Sequence, residues 1–161
     1  MPLDPKAQAI LEARAALGNI PFRSLSVEAV RAQQRQQSAA LNRHKVPVGG
    51  TADRAIPGPA GDLRVRVYRP GGVGPAPILV YFHGGGWVLA DKQVYDGGAR
   101  GISKAARAVV VSVDYRLAPE AKFPAAWDDA LAAYQWVAAN AADLNGIPGK
   151  LGLAGESAGG N

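Results

Sequence analysis

Apolar residues follow a helical period in the first forty positions and a strand period after them. Between Ala7 and Leu17 the residues Ala9, Ile10, Ala13, Ala16 and Leu17 recur three or four apart, and Gly18-Asn19 then supplies a stop. This spacing predicts a first amphipathic helix. A second is expected from Ser26, whose hydroxyl can cap the free amides of the following turn, to about Leu41. Its Arg- and Gln-rich stretch is more polar than a core helix. Pro and Gly punctuate residues 47–61, after which Leu63, Val65 and Val67 alternate with Arg64, Arg66 and Tyr68, the period of a half-buried strand. The sheet is expected to start there.

Pro70-Gly71-Gly72 turns the chain, so that residues 63–68 and 77–82 read as a hairpin-like pair. The second of these, Pro77-Ile78-Leu79-Val80-Tyr81-Phe82, is continuously apolar, as a sheet covered on both faces requires. Beyond it, residues 95–106 read as a helix, 108–113 as a buried strand, 124–142 as a long helix with Pro near its first turn, and 151–154 as a short strand. Strands alternating with helices imply an α/β sandwich, a mostly parallel sheet with helices on both faces.

Composition narrows the chemistry. The 161 residues are 48% hydrophobic, ample for a buried core. The net charge of +5 does not imply a nucleic-acid partner, because the basic residues are scattered from Lys6 to Lys150 with no continuous run and no interleaved aromatic platform. Without cysteine there is neither a disulfide framework nor a thiolate metal site, and two histidines are too few for an all-imidazole site. Metal catalysis is therefore not expected. Nothing near Met1 resembles an export signal or a membrane span, which makes a cytoplasmic protein the default expectation.

The chemistry-bearing pattern is Gly155-Glu156-Ser157-Ala158-Gly159, directly after an apolar strand. A strand-to-helix turn there is so tight that only small residues fit two places either side of the serine, as Gly155 and Gly159 do. Such a turn strains Ser157, lifts its hydroxyl off the sheet and sets it among the free amides of a helix start, with Ala158 contributing one of them. An ester carbonyl attacked by Ser157 becomes an oxyanion that needs at least two fixed N–H donors, each contributing about 3 kcal/mol to the transition state. The run His83-Gly84-Gly85-Gly86-Trp87 follows the apolar strand 77–82, where ligands bind in parallel sheets, and its glycines allow backbone to approach a substrate. Either motif alone is weak: the glycine run is as often a plain turn. Together, each after its own strand, they point to acyl transfer.

His83-Gly84-Gly85-Gly86-Trp87, Asp114-Tyr115-Arg116-Leu117-Ala118-Pro119-Glu120, Phe123-Pro124-Ala125 and Gly155-Glu156-Ser157-Ala158-Gly159-Gly160-Asn161 together resemble the motif set of hormone-sensitive-lipase-like (bacterial family IV) carboxylesterases of the α/β-hydrolase superfamily. The resemblance implies hydrolysis of short to medium acyl esters through an acyl-enzyme, without a cofactor. It makes Ser157 the nucleophile and the amides of Gly85, Gly86 and Ala158 the oxyanion hole, with His83 and Gly84 supporting that loop. Trp87 would line the substrate cleft, although an indole after a glycine loop serves core packing equally well. Asp114, Arg116 and Glu120 are implied to be structural, through ion pairs or hydrogen bonds. Glu156 replaces the commoner Asp of the serine motif, which keeps the charge and adjusts the elbow's hydrogen bonds. Residues 1–46 are expected to form a helical cap segment, and residues 47–161 the N-terminal part of the catalytic domain.

In α/β-hydrolases the acid and histidine follow the nucleophile, whereas only Ala158 to Asn161 follow Ser157 here. His83 and His44, the two histidines present, are poor candidates for the base. The expectation is that a missing C-terminal half or second chain completes the triad, that a single helical turn follows Ser157, and that the last strand lies at an open sheet edge that could also support a homodimer. The alternative on the same scaffold is a non-catalytic binder of a small ligand, or an inactive fragment.

Overall fold

The structure is a computed structural model that describes residues 2–16 and 24–161. Two helices come first, α1 (Pro5–Ala16) and α2 (Val27–Leu41). The expected stop at Gly18-Asn19 lies outside the described residues. Ser26 caps α2 as expected, its hydroxyl accepting from the Ala29 amide at 3.2 Å. Of the apolar stripe anticipated on α1, Ala9, Ile10, Ala13 and Ala16 are exposed, and Leu17 lies outside the described residues. α2, by contrast, buries Val30 and spends its polar residues on ion pairs.

Among the described residues, five strands form one sheet in the order β1-β2-β4-β3-β5. They are β1 (Gly50–Gly58), β2 (Gly61–Arg69), β3 (Ala76–Phe82), β4 (Val109–Asp114) and β5 (Gly146–Gly155), with α3 (Asp96–Ala106) and α4 (Ala125–Ala139) between them. β4, β3 and β5 run parallel, while β1 and β2 form an antiparallel hairpin attached antiparallel to β4. The sheet therefore begins one strand earlier than the pattern indicated, and the hairpin-like partner of β2 is β1 rather than β3. β1 escapes notice because its interior, Thr51-Ala52-Asp53-Arg54-Ala55, holds small and charged residues and only Ile56 is fully buried.

Alternation within the central strands builds two cores. Ile78, Val80 and Phe82 of β3, with Val109, Val111 and Val113 of β4, face Ala133 and Val137 of α4. Tyr81 and Val110, one residue out of phase, pack with Tyr68 and with Ala99 of α3 on the opposite face. This two-sided burial accounts for the unbroken apolar run of β3. Both parallel connections, through α3 and α4, leave the carboxyl ends of β3 and β5 side by side, because Phe82 is paired in register with Gly155. The two motifs thus become neighbours in space. Among the described residues β5 is the last strand in the sheet order, and a 3-10 turn, Ser157–Gly160, comes after it. No helix among the described residues is long and apolar enough to cross a membrane.

Candidate active site

Two positions of the turn out of β5 have no room for a side chain. A methyl group added at Gly155 would overlap the carbonyl oxygen of Gly159, and one at Gly159 would overlap the carbonyl oxygens of Phe82 and His83. Between them Ser157 takes φ 52°, in the left-handed region that an L residue adopts at a cost of about 1–2 kcal/mol. The Gly159 amide donates to the Glu156 carbonyl at 2.9 Å, closing the turn around the serine. Ser157 is exposed and Ala158 half-buried.

The glycine run leaves β3 alongside this turn. Its peptide orientations follow from what its carbonyls bind, because in a trans peptide the N–H points opposite to the C=O. The Gly84 carbonyl lies 2.8 Å from His83 Nδ1, which directs the Gly85 N–H away from the imidazole. The Gly85 carbonyl accepts from the amides of Val88 and Leu89 at 3.1 and 2.9 Å, which turns the Gly86 N–H out of that loop. Gly85 and Gly86 have φ 128° and 61°, and at Gly85 an added methyl would overlap the Leu89 carbonyl oxygen.

His83 is only 1% exposed and lies between two tyrosines, with ring centroids 4.5 Å from Tyr115 and 5.7 Å from Tyr95. A carbonyl oxygen can only accept, so Nδ1 carries the proton, and burial holds the imidazole below its ordinary value, in the neutral form. The Tyr115 hydroxyl donates to the His83 carbonyl at 2.6 Å, and burial pushes that hydroxyl up to about 12, so it remains a donor. His83 thus sits beneath the glycine loop and is committed to it.

Trp87 does not enter the core. It has φ 59°, is 40% exposed, and borders a groove of about 670 Å³ together with Phe82, Tyr115 and Ala158. The groove continues along α4 and β5, past Trp127, Leu131, Tyr134 and Leu153.

The acidic and basic residues behind these loops are paired. Lys92, 5% exposed, donates from its backbone amide and Nζ to the Asp114 carboxylate at 2.7 and 2.9 Å. Arg116 grips the buried Asp129 with several bonds between 2.8 and 3.0 Å. Glu120 pairs with Arg31 of α2, and that bond, together with a backbone amide, holds its carboxyl down to about 2. Each of Asp114, Arg116 and Glu120 thus makes an ion pair, although none pairs with another of the three. Sequence reasoning missed their partners, and it missed Tyr95, which donates to Glu156 beside the serine.

A serine held in a strand-to-turn elbow, next to a glycine loop at the carboxyl ends of parallel strands, defines an α/β hydrolase. Residues 79–161 match the family described as alpha/beta hydrolase fold, and the chain belongs to it. It is 42% identical to the carboxylic ester hydrolase LipN of Mycobacterium tuberculosis, over 99% of this chain and 43% of that protein. It is 36% identical to an arylesterase of Saccharolobus solfataricus, over 100% of this chain and 52% of the relative. A hyperthermophilic esterase from the archaeon Pyrobaculum calidifontis superposes with a TM-score of 0.91 at 43% identity, covering 99% of this chain and 51% of that one. The chain therefore spans about half the length of the relatives it matches, and the carboxylesterase resemblance read from its motifs agrees with them.

Proposed function

We propose that this chain carries the nucleophile half of a carboxylic-ester hydrolase acting on short to medium acyl esters. Ser157 Oγ attacks the ester carbonyl and forms the acyl bond, its proton passes to a base and then to the departing alkoxide, and water releases the acid. The amides of Gly85, Gly86 and Ala158 receive the oxyanion. Trp87 borders the cleft, and residues 1–46 act as a cap segment over the catalytic part, residues 47–161. The observation that carries this reading is the left-handed Ser157 between two glycines whose methyl positions are filled by backbone. Strain of this kind is kept where the surrounding structure fixes a group for use, which suits a nucleophile.

The base is not His83, which is buried between two rings with Nδ1 held by Gly84. In this reading the acid and histidine come from protein outside these 161 residues. The test is labelling of the full-length protein with a fluorophosphonate, followed by peptide mass spectrometry. Modification of Ser157 supports the proposal, and modification of another serine, or of none, overturns it.

A further inference from the structure

The oxyanion donors proposed above sit on two separate segments, Gly85 and Gly86 on the loop after β3 and Ala158 on the elbow after β5. Their spacing must hold to a fraction of an ångström for all three to reach one oxygen. On one side backbone packing fixes it, since Gly159 lies against the carbonyls of Phe82 and His83. On the other side the elbow residue Glu156 is held by Tyr95, which precedes α3 and lies against Gly84 of the glycine loop. The Tyr95 hydroxyl donates to Glu156 Oε1 at 2.6 Å, and both groups press on Gly84. A methyl at Gly84 would lie 2.8 Å from the Tyr95 hydroxyl, 3.1 Å from the Glu156 carbonyl and 3.2 Å from its Oε1.

We propose that Tyr95 and Glu156 are positioning residues that lock the glycine loop to the serine elbow and so set the spacing of the oxyanion hole, an inference that rests on the serine-hydrolase reading. Tyr95 is itself fixed from behind: it immediately precedes α3, and its ring stacks on His83 and meets Tyr81 at 6.2 Å. Burial, with the Glu156 carboxylate beside it, raises the hydroxyl well above the ordinary tyrosine range, so it stays a donor. The reach of Glu matters, because an Asp at position 156 is one methylene shorter.

The test compares Tyr95→Phe, Glu156→Asp and Glu156→Gln in the full-length protein, reading kcat and KM on a short-chain p-nitrophenyl ester. It adds affinity for a trifluoromethyl ketone, whose adduct with Ser157 carries the oxyanion, and thermal melting as a check on folding. Tyr95→Phe keeps the ring and is expected to lower kcat and ketone affinity together by about tenfold, with KM within about twofold. Glu156→Asp should match it, Glu156→Gln, which keeps an acceptor, should recover most of the loss, and Tyr95→Phe with Glu156→Asp should be no worse than either alone. Wild-type kcat and ketone affinity in Tyr95→Phe, whatever its melting temperature, overturns the inference. A Ser157→Ala control separates the two claims: if it is inactive while Tyr95→Phe is wild-type, only this inference fails, and if it is active the serine reading fails with it.

Discussion

Arg31 on α2 and Glu120 on the segment after β4, 89 residues apart, form a two-pronged pair at 2.8 and 3.0 Å. The same guanidinium donates to the carbonyls of Val88 and Ala118 at 2.8 and 2.9 Å, and the Ala118 amide donates to the Trp87 carbonyl. One side chain from the N-terminal helices thus reaches both loops that border the candidate site. Arg31→Ala would leave two half-buried carbonyls without a donor and is expected to cost about 1–3 kcal/mol in urea unfolding of the full-length protein. Glu120→Gln removes only an exposed charge and should cost less. Equal losses would show that the carbonyl bonds contribute nothing.

Glycine substitutions should separate the site from the scaffold. Gly159→Ala forces backbone apart where Phe82 and His83 pass the elbow, with an expected destabilisation of about 1–3 kcal/mol and loss of esterase activity. Gly98→Ala in α3 meets nothing within 4 Å and should stabilise by about 0.5–1 kcal/mol with activity intact. Melting curves and initial rates on the two variants decide the point.

His83 gives stability a pH dependence of definite sign. Burial lowers its value in the folded protein, so below about pH 6.5 the unfolded chain takes up a proton that the folded one refuses. Its contribution is complete above that pH and is lost as pH falls toward the folded value, by at most about 1.4 kcal/mol per pH unit. His83→Gln, which cannot ionise, should flatten the stability curve between pH 7 and 5. An unchanged slope would mean that His83 titrates normally. Asp96 belongs to a lower window: burial alone would raise it, but Arg100, Tyr68 and Arg66 together hold it below the usual carboxylate range, so its contribution disappears only below about pH 4.

What the sequence made legible was what local sterics dictate. The elbow and the glycine loop could be read because the two motifs occur together, each directly after its own strand, where either alone would be an ordinary turn. β3 could be read because burial on both faces leaves an unbroken apolar run, and β4 because four valines surround its one buried serine. β1 could not, since one buried Ile among small and charged residues gives no alternation to follow. The hairpin partner of β2 was misread for the same reason. Tyr95 with Glu156 and Arg31 with Glu120 join residues 61 and 89 apart, and no local pattern encodes such pairs. The only hint was a helix too polar for a core, and its arginines turned out to make the ion pairs.

The most direct measurement is hydrolysis of a short-chain p-nitrophenyl ester by the full-length protein, with and without Ser157→Ala. The expected result is turnover that the substitution lowers by several orders of magnitude while the fold is retained. Turnover that survives the loss of the Ser157 hydroxyl would contradict the account at its centre.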